Sequence, residues 1–132
     1  MPATARKLAL SVLPKTFVIC KLPADAPVPT WATQGKFFSI TRTSEELSVV
    51  AEADVVPENL RGDMTWRAMK AHGPFAFSEV GVLAALVAPL AEDGISVFAI
   101  STFDTDYLFT GETQLQAAGA ALRQAGHTVH ET

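Results

Sequence analysis

Apolar residues dominate positions 7–12 and again 15–22, and between them stands Leu13-Pro14, a pair that cannot continue a central ladder. The pattern predicts two strands. Pro23, Pro27 and Pro29 then punctuate a connection reaching Gly35, where fixed proline φ and missing donors exclude an ordered helix longer than about a turn. Residues 36–42 and 46–51 read as the next strands, joined through Thr43-Ser44-Glu45; in the second, Leu47, Val49 and Ala51 alternate with Ser48, Val50 and Glu52. The polar stretch 57–63, with Gly62, reads as a linker, although strands can cross between halves this small.

Beyond the linker the period changes. A strand over 65–71 leads to Gly73-Pro74, then Ser78 as an N-cap and a helix over 79–91 that is apolar almost all round. Such a helix needs cover on two sides, from the sheet and from another element or subunit. Glu92-Asp93-Gly94 ends it, and the continuous apolar run 95–100 predicts a strand buried on both faces. A turn at 102–105 and a returning strand at 107–109 follow. Leu115, Ala118, Leu122 and Ala125 mark one face of a second helix, Gly126 ends it at the C′ position, and 127–130 has room for a last strand. The order from Thr65 is thus βαββαβ. It predicts an α+β, ferredoxin-like unit with helices on one face of an antiparallel sheet, and a division of the chain into 1–62 and 63–132.

This topology carries a geometric expectation. A crossover helix makes the first two strands parallel, so residues 73–81 and the turn at 102–106 converge on one edge of the sheet. There the helix start offers unpaired N–H groups near Glu79, Val80 and Gly81, suited to an anionic group such as a carboxylate. Thr102 offers a hydroxyl, Phe103 an aromatic face, and Asp104 and Asp106 two carboxylates that project on the same side if the chain is extended. Donors for an acid and acceptors for an amine in one pocket describe an amino-acid site. The same residues also have a plain reading: a helix cap, a packing glycine and a hairpin turn.

Composition narrows the class. The 132 residues are 48% hydrophobic and 18% charged, with a net charge of −4, no basic run and a single cysteine. This excludes disorder, gives no footprint for nucleic acid, and leaves no apolar stretch of the roughly 18–20 residues that spans a bilayer. The first residues lack the regions of a signal peptide and one cysteine makes no internal disulfide, so a cytoplasmic protein is expected.

Residues 80–97 (Val80-Gly81-Val82-Leu83-Ala84-Ala85-Leu86 through Asp93-Gly94-Ile95-Ser96-Val97) resemble the signature of ACT domains, small-molecule-sensing modules attached to enzymes such as aspartate kinase and phosphoglycerate dehydrogenase. The following Ile100-Ser101-Thr102-Phe103-Asp104-Thr105-Asp106-Tyr107-Leu108 resembles the stand-alone tandem-ACT proteins, a group related to the amino-acid-kinase regulatory domain and to the animal cytosolic arginine sensor. The resemblance covers residues 66–130 well, and residues 6–60 look like a degenerate first ACT-like unit whose proline-rich segment replaces a clear helix. In the sensor group, residues matching Thr102, Phe103 and Asp106 help form the amino-acid pocket, with the loop matching Glu79 to Gly81 beside it. The resemblance therefore implies ligand contacts from Glu79, Val80, Gly81, Ile95, Thr102, Phe103, Asp104 and Asp106, an amino acid or related small metabolite as partner, and a homodimer.

Other constellations are weaker. Cys20 lies in a strand pattern and reads as a core thiol, because a reactive one needs an electropositive, accessible setting. His127 and His130, three apart on a strand, fall on opposite faces and make no metal pair. His72 reads as loop surface, with pocket lining as the alternative. Trp31 and Trp66 read as packing residues, and Asp104 with Asp106 lacks a third carboxylate for Mg²⁺. No nucleophile with a base, metal cluster or matched acid/base pair is visible, so neither cofactor nor catalysis is expected. The leading reading is a ligand-binding regulatory module; a small enzyme or regulatory subunit using Asp104 or Asp106, and a structural dimerisation module without ligand, are the alternatives.

Overall fold

Residues 6–76, 78 and 80–131 are described by a computed structural model. They divide into two units, one made of residues up to Pro14 with Arg67 onward, the other of Lys15–Trp66. A boundary at residues 62/63 would leave residues up to Pro14 with the first half; in the structure they group with the second. Strand β1, Ala9–Leu22, accounts for this, since it contributes its first part to one unit and its remainder to the other. The expected break at Leu13-Pro14 does not occur: Pro14 lies inside β1, between the residues that pair β7, which end at Ser11, and those that pair β3, which begin at Phe17. The proline stands where the strand passes from one of these partners to the other.

The Lys15–Trp66 unit is an antiparallel ladder. β2, Phe38–Arg42, pairs β3, Leu47–Glu52, which pairs the later residues of β1 from Phe17↔Glu52 to Leu22↔Leu47. The connecting turn is closed by Thr43, whose hydroxyl accepts from the Glu45 and Glu46 N–H groups. Val18, Cys20, Leu47, Val49 and Ala51 form its core, with Trp31 packed against it. The proline-rich connection holds one 3-10 turn, Thr30–Thr33. Glu52 is buried, and its carboxylate accepts from the Lys36 and Phe37 N–H groups at 3.2 Å each, so the charge is met by backbone donors.

The other unit contains β4, Trp66–Ala71; α1, Val82–Glu92; β5, Val97–Ser101; β6, Asp106–Gly111; α2, Leu115–Gln124; and β7, Thr128–His130. This is the expected βαββαβ order in an α+β fold, with one addition. The first part of β1 lies beside β4 and pairs β7 in parallel, from Ala9↔Thr128 to Ser11↔His130, so the sheet is not purely antiparallel. Leu10, Val12, Met69, Ala71, Leu108 and Val129 turn one face of the sheet towards Leu86, Leu90, Ala118, Ala121 and Leu122 of the helices. Truncating Leu86 or Leu90 to Ala removes about 2–5 kcal/mol. The second cover for α1 is α2, which packs alongside it.

Two local expectations are corrected. The helix begins at Val82 rather than at residue 79, and its N-cap is Gly81 at φ 85°, with no side-chain cap from Ser78. A left-handed residue cannot be part of a right-handed helix, and glycine adopts it without a Cβ penalty, so the helix starts after it. The run 95–100 is not a covered central strand: β5 ends the strand order, Ala99 is exposed, and β6 is its partner. Its apolar character is used across the strands, where Phe98 stacks on its register partner Phe109 at 4.7 Å.

Candidate functional site

The two segments expected to converge do so. The Phe75 N–H donates to the Asp104 carbonyl at 2.7 Å, and the buried Thr105 hydroxyl donates to the Ala71 carbonyl at 2.7 Å. Gly73 makes the approach possible, since a Cβ there would lie 2.9 Å from the Asp104 carbonyl oxygen. The turn itself is tied by the Thr102 N–H donating to the Thr105 carbonyl at 2.8 Å, and the Thr102 hydroxyl accepts from the Thr105 N–H at 3.3 Å. The chain is therefore bent, not extended, at Asp104. Asp106 begins β6, and its carboxylate accepts a hydrogen bond from the Ser101 hydroxyl.

Between these segments lies a cleft of about 160 Å³, lined by Phe75, Val82, Thr102, Phe103, Asp104 and Asp106, among others. Val82 brings the helix start into it. The groups without an intrahelical acceptor are the N–H groups of Gly81, Val82, Leu83 and Ala84, since Ala85 already bonds the Gly81 carbonyl at 2.9 Å. This extends the predicted anion-facing donors from Gly81 onward to Ala84. The positive end of the helix and two carboxylates thus border one small cleft.

Of the expected contacts, Thr102, Phe103, Asp104 and Asp106 line the cleft. Gly81 caps the adjoining helix, while Val80, 86% exposed, is not among the residues lining this cleft. Glu79 lies outside the described residues. Ile95 is elsewhere: it is 6% exposed, sits past the opposite end of α1, and packs in the core with its N–H on the Leu90 carbonyl. A β-branched residue following a helix-ending glycine packs back onto the last turn. Phe75 and Val82 were not anticipated, nor was Arg6, whose guanidinium lies 5.6 Å from the Phe75 ring centroid. Nothing in the pattern distinguishes Phe75 from a core phenylalanine.

A second, larger cleft of about 590 Å³ borders the same turn and includes Ser11, Lys70, His72 and Tyr107. His72 therefore lines a pocket. His127, just before β7, is buried and His130, at its end, is exposed, so the two rings face apart. Cys20 is buried, and burial pushes its thiol above the usual 9.0. Among the described residues no three His, Cys, Asp or Glu side chains gather as metal ligands, and no helix is long and apolar enough to cross a membrane.

Comparison with known proteins adds to this geometry. A model described as an ACT domain matches residues 62–124, and a second, described as an N-terminal domain, matches residues 15–59. The structure is similar to that of protein Atu0741 from Agobacterium tumefaciens, with a TM-score of 0.87, 36% identity, and 96% of this chain and 95% of that one covered. The sequence is 28% identical to the human cytosolic arginine sensor for mTORC1 subunit 1 over 124 residues, 84% of this chain and 36% of the sensor. An aspartate kinase from Clostridium acetobutylicum shares the fold alone, at a TM-score of 0.62 and 9% identity over 84% of this chain and 33% of the kinase. The chain spans between about a third and somewhat over half the length of the curated relatives it matches.

Proposed function

The chain belongs to the ACT domain family, and we propose that it is a non-catalytic regulatory protein that binds an amino acid in the cleft between the start of α1 and the Thr102–Asp106 turn. The observation that carries this is the pairing, in one small cleft, of the α1 N-terminus at Val82 with the carboxylates of Asp104 and Asp106. The N–H groups of the first helical turn receive the ligand's carboxylate, and Asp106 receives its ammonium or a cationic side chain through a charge-assisted bond. Phe75 and Phe103 contribute apolar walls. The named sensor among the relatives responds to arginine and is cytosolic, which supports a cationic or related amino acid and a cytosolic setting.

The same proposal includes a second copy of the chain. Val80 and Phe103 expose apolar side chains at this edge, 86% and 77% accessible, and β5 is the last strand in the sheet order among the described residues. Ligand binding favours whichever arrangement of the copies holds it better, which is how a small molecule becomes a signal.

A thermal-shift panel of the twenty amino acids tests the reading. At a hundredfold excess over its dissociation constant, the ligand stabilises the protein by about 2.7 kcal/mol. Asp106→Asn removes the response while leaving the unliganded melt in place. A panel in which no amino acid raises the melting temperature, or a response unchanged in Asp106→Asn, overturns the proposal.

A further inference from the structure

The larger cleft has its own chemistry. Side chains alternate along a strand, and Leu10, Val12, Met69, Ala71, Leu108 and Val129 face the helices, so Ser11, Lys70, Tyr107 and His130 project from the opposite face of the sheet. His72, directly after β4, continues the same alternation. Across this face Ser11 is the register partner of His130, and the Ser11 hydroxyl lies 2.6 Å from His72 Nε2. The rings of His72 and His130 stack with centroids 5.4 Å apart and planes within 2°. Lys70, two residues before His72, borders the same cleft.

We propose that this cleft binds the phosphate or carboxylate group of a small metabolite, held by Lys70, His72 and Ser11. The Ser11–His72 pair presents a donor in each protonation arrangement. If the serine hydroxyl donates to Nε2, the imidazole proton is on Nδ1; if Nε2 donates, the hydroxyl proton is free to turn to a ligand. In either case one proton is consumed in the pair and one remains to donate. Lys70 adds a point charge, and Tyr107 a further hydroxyl. The stacked His130 holds the His72 ring in its plane, so the donor is oriented before an anion arrives. Asp104 is the carboxylate bordering the cleft, and it lies on the 102–105 turn rather than among the donors.

This inference is independent of the amino-acid proposal. The two clefts share only Thr102, Asp104 and Thr105, and none of the three proposed anion donors lines the smaller one. The full chain is titrated at constant pH and ionic strength with inorganic phosphate, and separately with acetate, while the imidazole resonances of His72 and His130 are followed by NMR. Saturable shifts of both imidazoles with either anion, absent with chloride, are expected, and which anion saturates identifies the source. Lys70→Met weakens that binding at least about tenfold, the loss of one charge-assisted bond. Ser11→Ala, the smallest change available on β1, weakens it as well while the amide spectrum stays dispersed. Shifts of equal size with chloride, no saturation with either anion, or undiminished affinity in Lys70→Met overturn the proposal.

Discussion

His127 supplies the hydrogen bond that Pro89 removes. Proline at position 89 of α1 has no N–H, so the Ala85 carbonyl loses its intrahelical donor; His127 Nε2 lies 3.0 Å from that oxygen. On the other side of the ring, Nδ1 accepts the Leu8 N–H at 3.1 Å. An acceptor at Nδ1 places the ring proton on Nε2, where it donates to Ala85. The imidazole is 4% exposed and bridges β1's lead-in segment to the helix with both nitrogens satisfied.

Removing this ring leaves the buried Ala85 carbonyl and the part-buried Leu8 N–H without these partners. His127→Phe is expected to destabilise the protein by about 1–3 kcal/mol for each of them, measured by denaturant unfolding. Pro89→Ala restores an intrahelical donor to Ala85, so it recovers part of the loss in His127→Phe. The double-mutant cycle gives a coupling of about 1 kcal/mol or more, and strict additivity would show that the two residues do not share an acceptor.

At the site, Gly73 and Thr105 hold the 102–106 turn in place, Gly73 from outside the smaller cleft and Thr105 from its wall. Gly73→Ala drives a Cβ to 2.9 Å from the Asp104 carbonyl, a backbone atom that cannot swing aside, and is expected to cost about 1–3 kcal/mol. Thr105→Val leaves the Ala71 carbonyl without its 2.7 Å donor and costs about 1 kcal/mol. Both variants weaken amino-acid binding by misplacing Asp106. Calorimetric titration beside a stability measurement checks this, and full affinity in both would separate the turn's position from recognition.

The Cys20 thiol is raised above its ordinary 9.0 by burial and lies 3.4 Å from the Leu60 carbonyl. The reactive thiolate is therefore scarce in the folded protein. Labelling by a thiol reagent at neutral pH is expected to be slow and to accelerate in step with added denaturant. Rapid labelling of the native protein would contradict the core role.

Lys15 and Asp54 form a surface pair at 2.8 Å. The hydrogen bond from Lys15 holds Asp54 below its usual 3.8, and the same bond raises Lys15 above 10.5. A lowered carboxyl contributes stability above its unfolded value and loses it as the pH falls through the folded one. A raised amine contributes below its unfolded value and loses it as the pH rises through the folded one. The small increment that Asp54→Asn removes is therefore level between about pH 5 and 9 and vanishes at both extremes. High salt shrinks it, because both side chains are at least half exposed. Paired melts across pH and salt measure it; a difference that grows towards pH 3 has the wrong sign.

Much of the fold was legible in residue types. Gly126, Gly94 and the apolar period of residues 115–125 marked helix ends and faces because backbone conformation and burial act within a few residues. The convergence of Gly73 with the Asp104 turn was legible too, because the handedness of a crossover leaves one arrangement. Ser78 misled, since a good capping residue was overruled by the left-handed Gly81 three positions on.

The sequence by itself determined the βαββαβ order and the edge where Thr102, Phe103, Asp104 and Asp106 meet the start of α1, because periodicity and chain handedness are local properties. Tertiary structure alone decided which strands became neighbours. A period of two says that residues 9–12 form a strand, and it carries no label for the partner, so the place of β1 between β4 and β7 was not readable. That pairing sets Ser11 opposite His130 and beside His72, 119 and 61 positions away in the chain, and brings His127 under Pro89's helix. Hydrogen bonds between such distant residues exist only once the sheet has chosen its order.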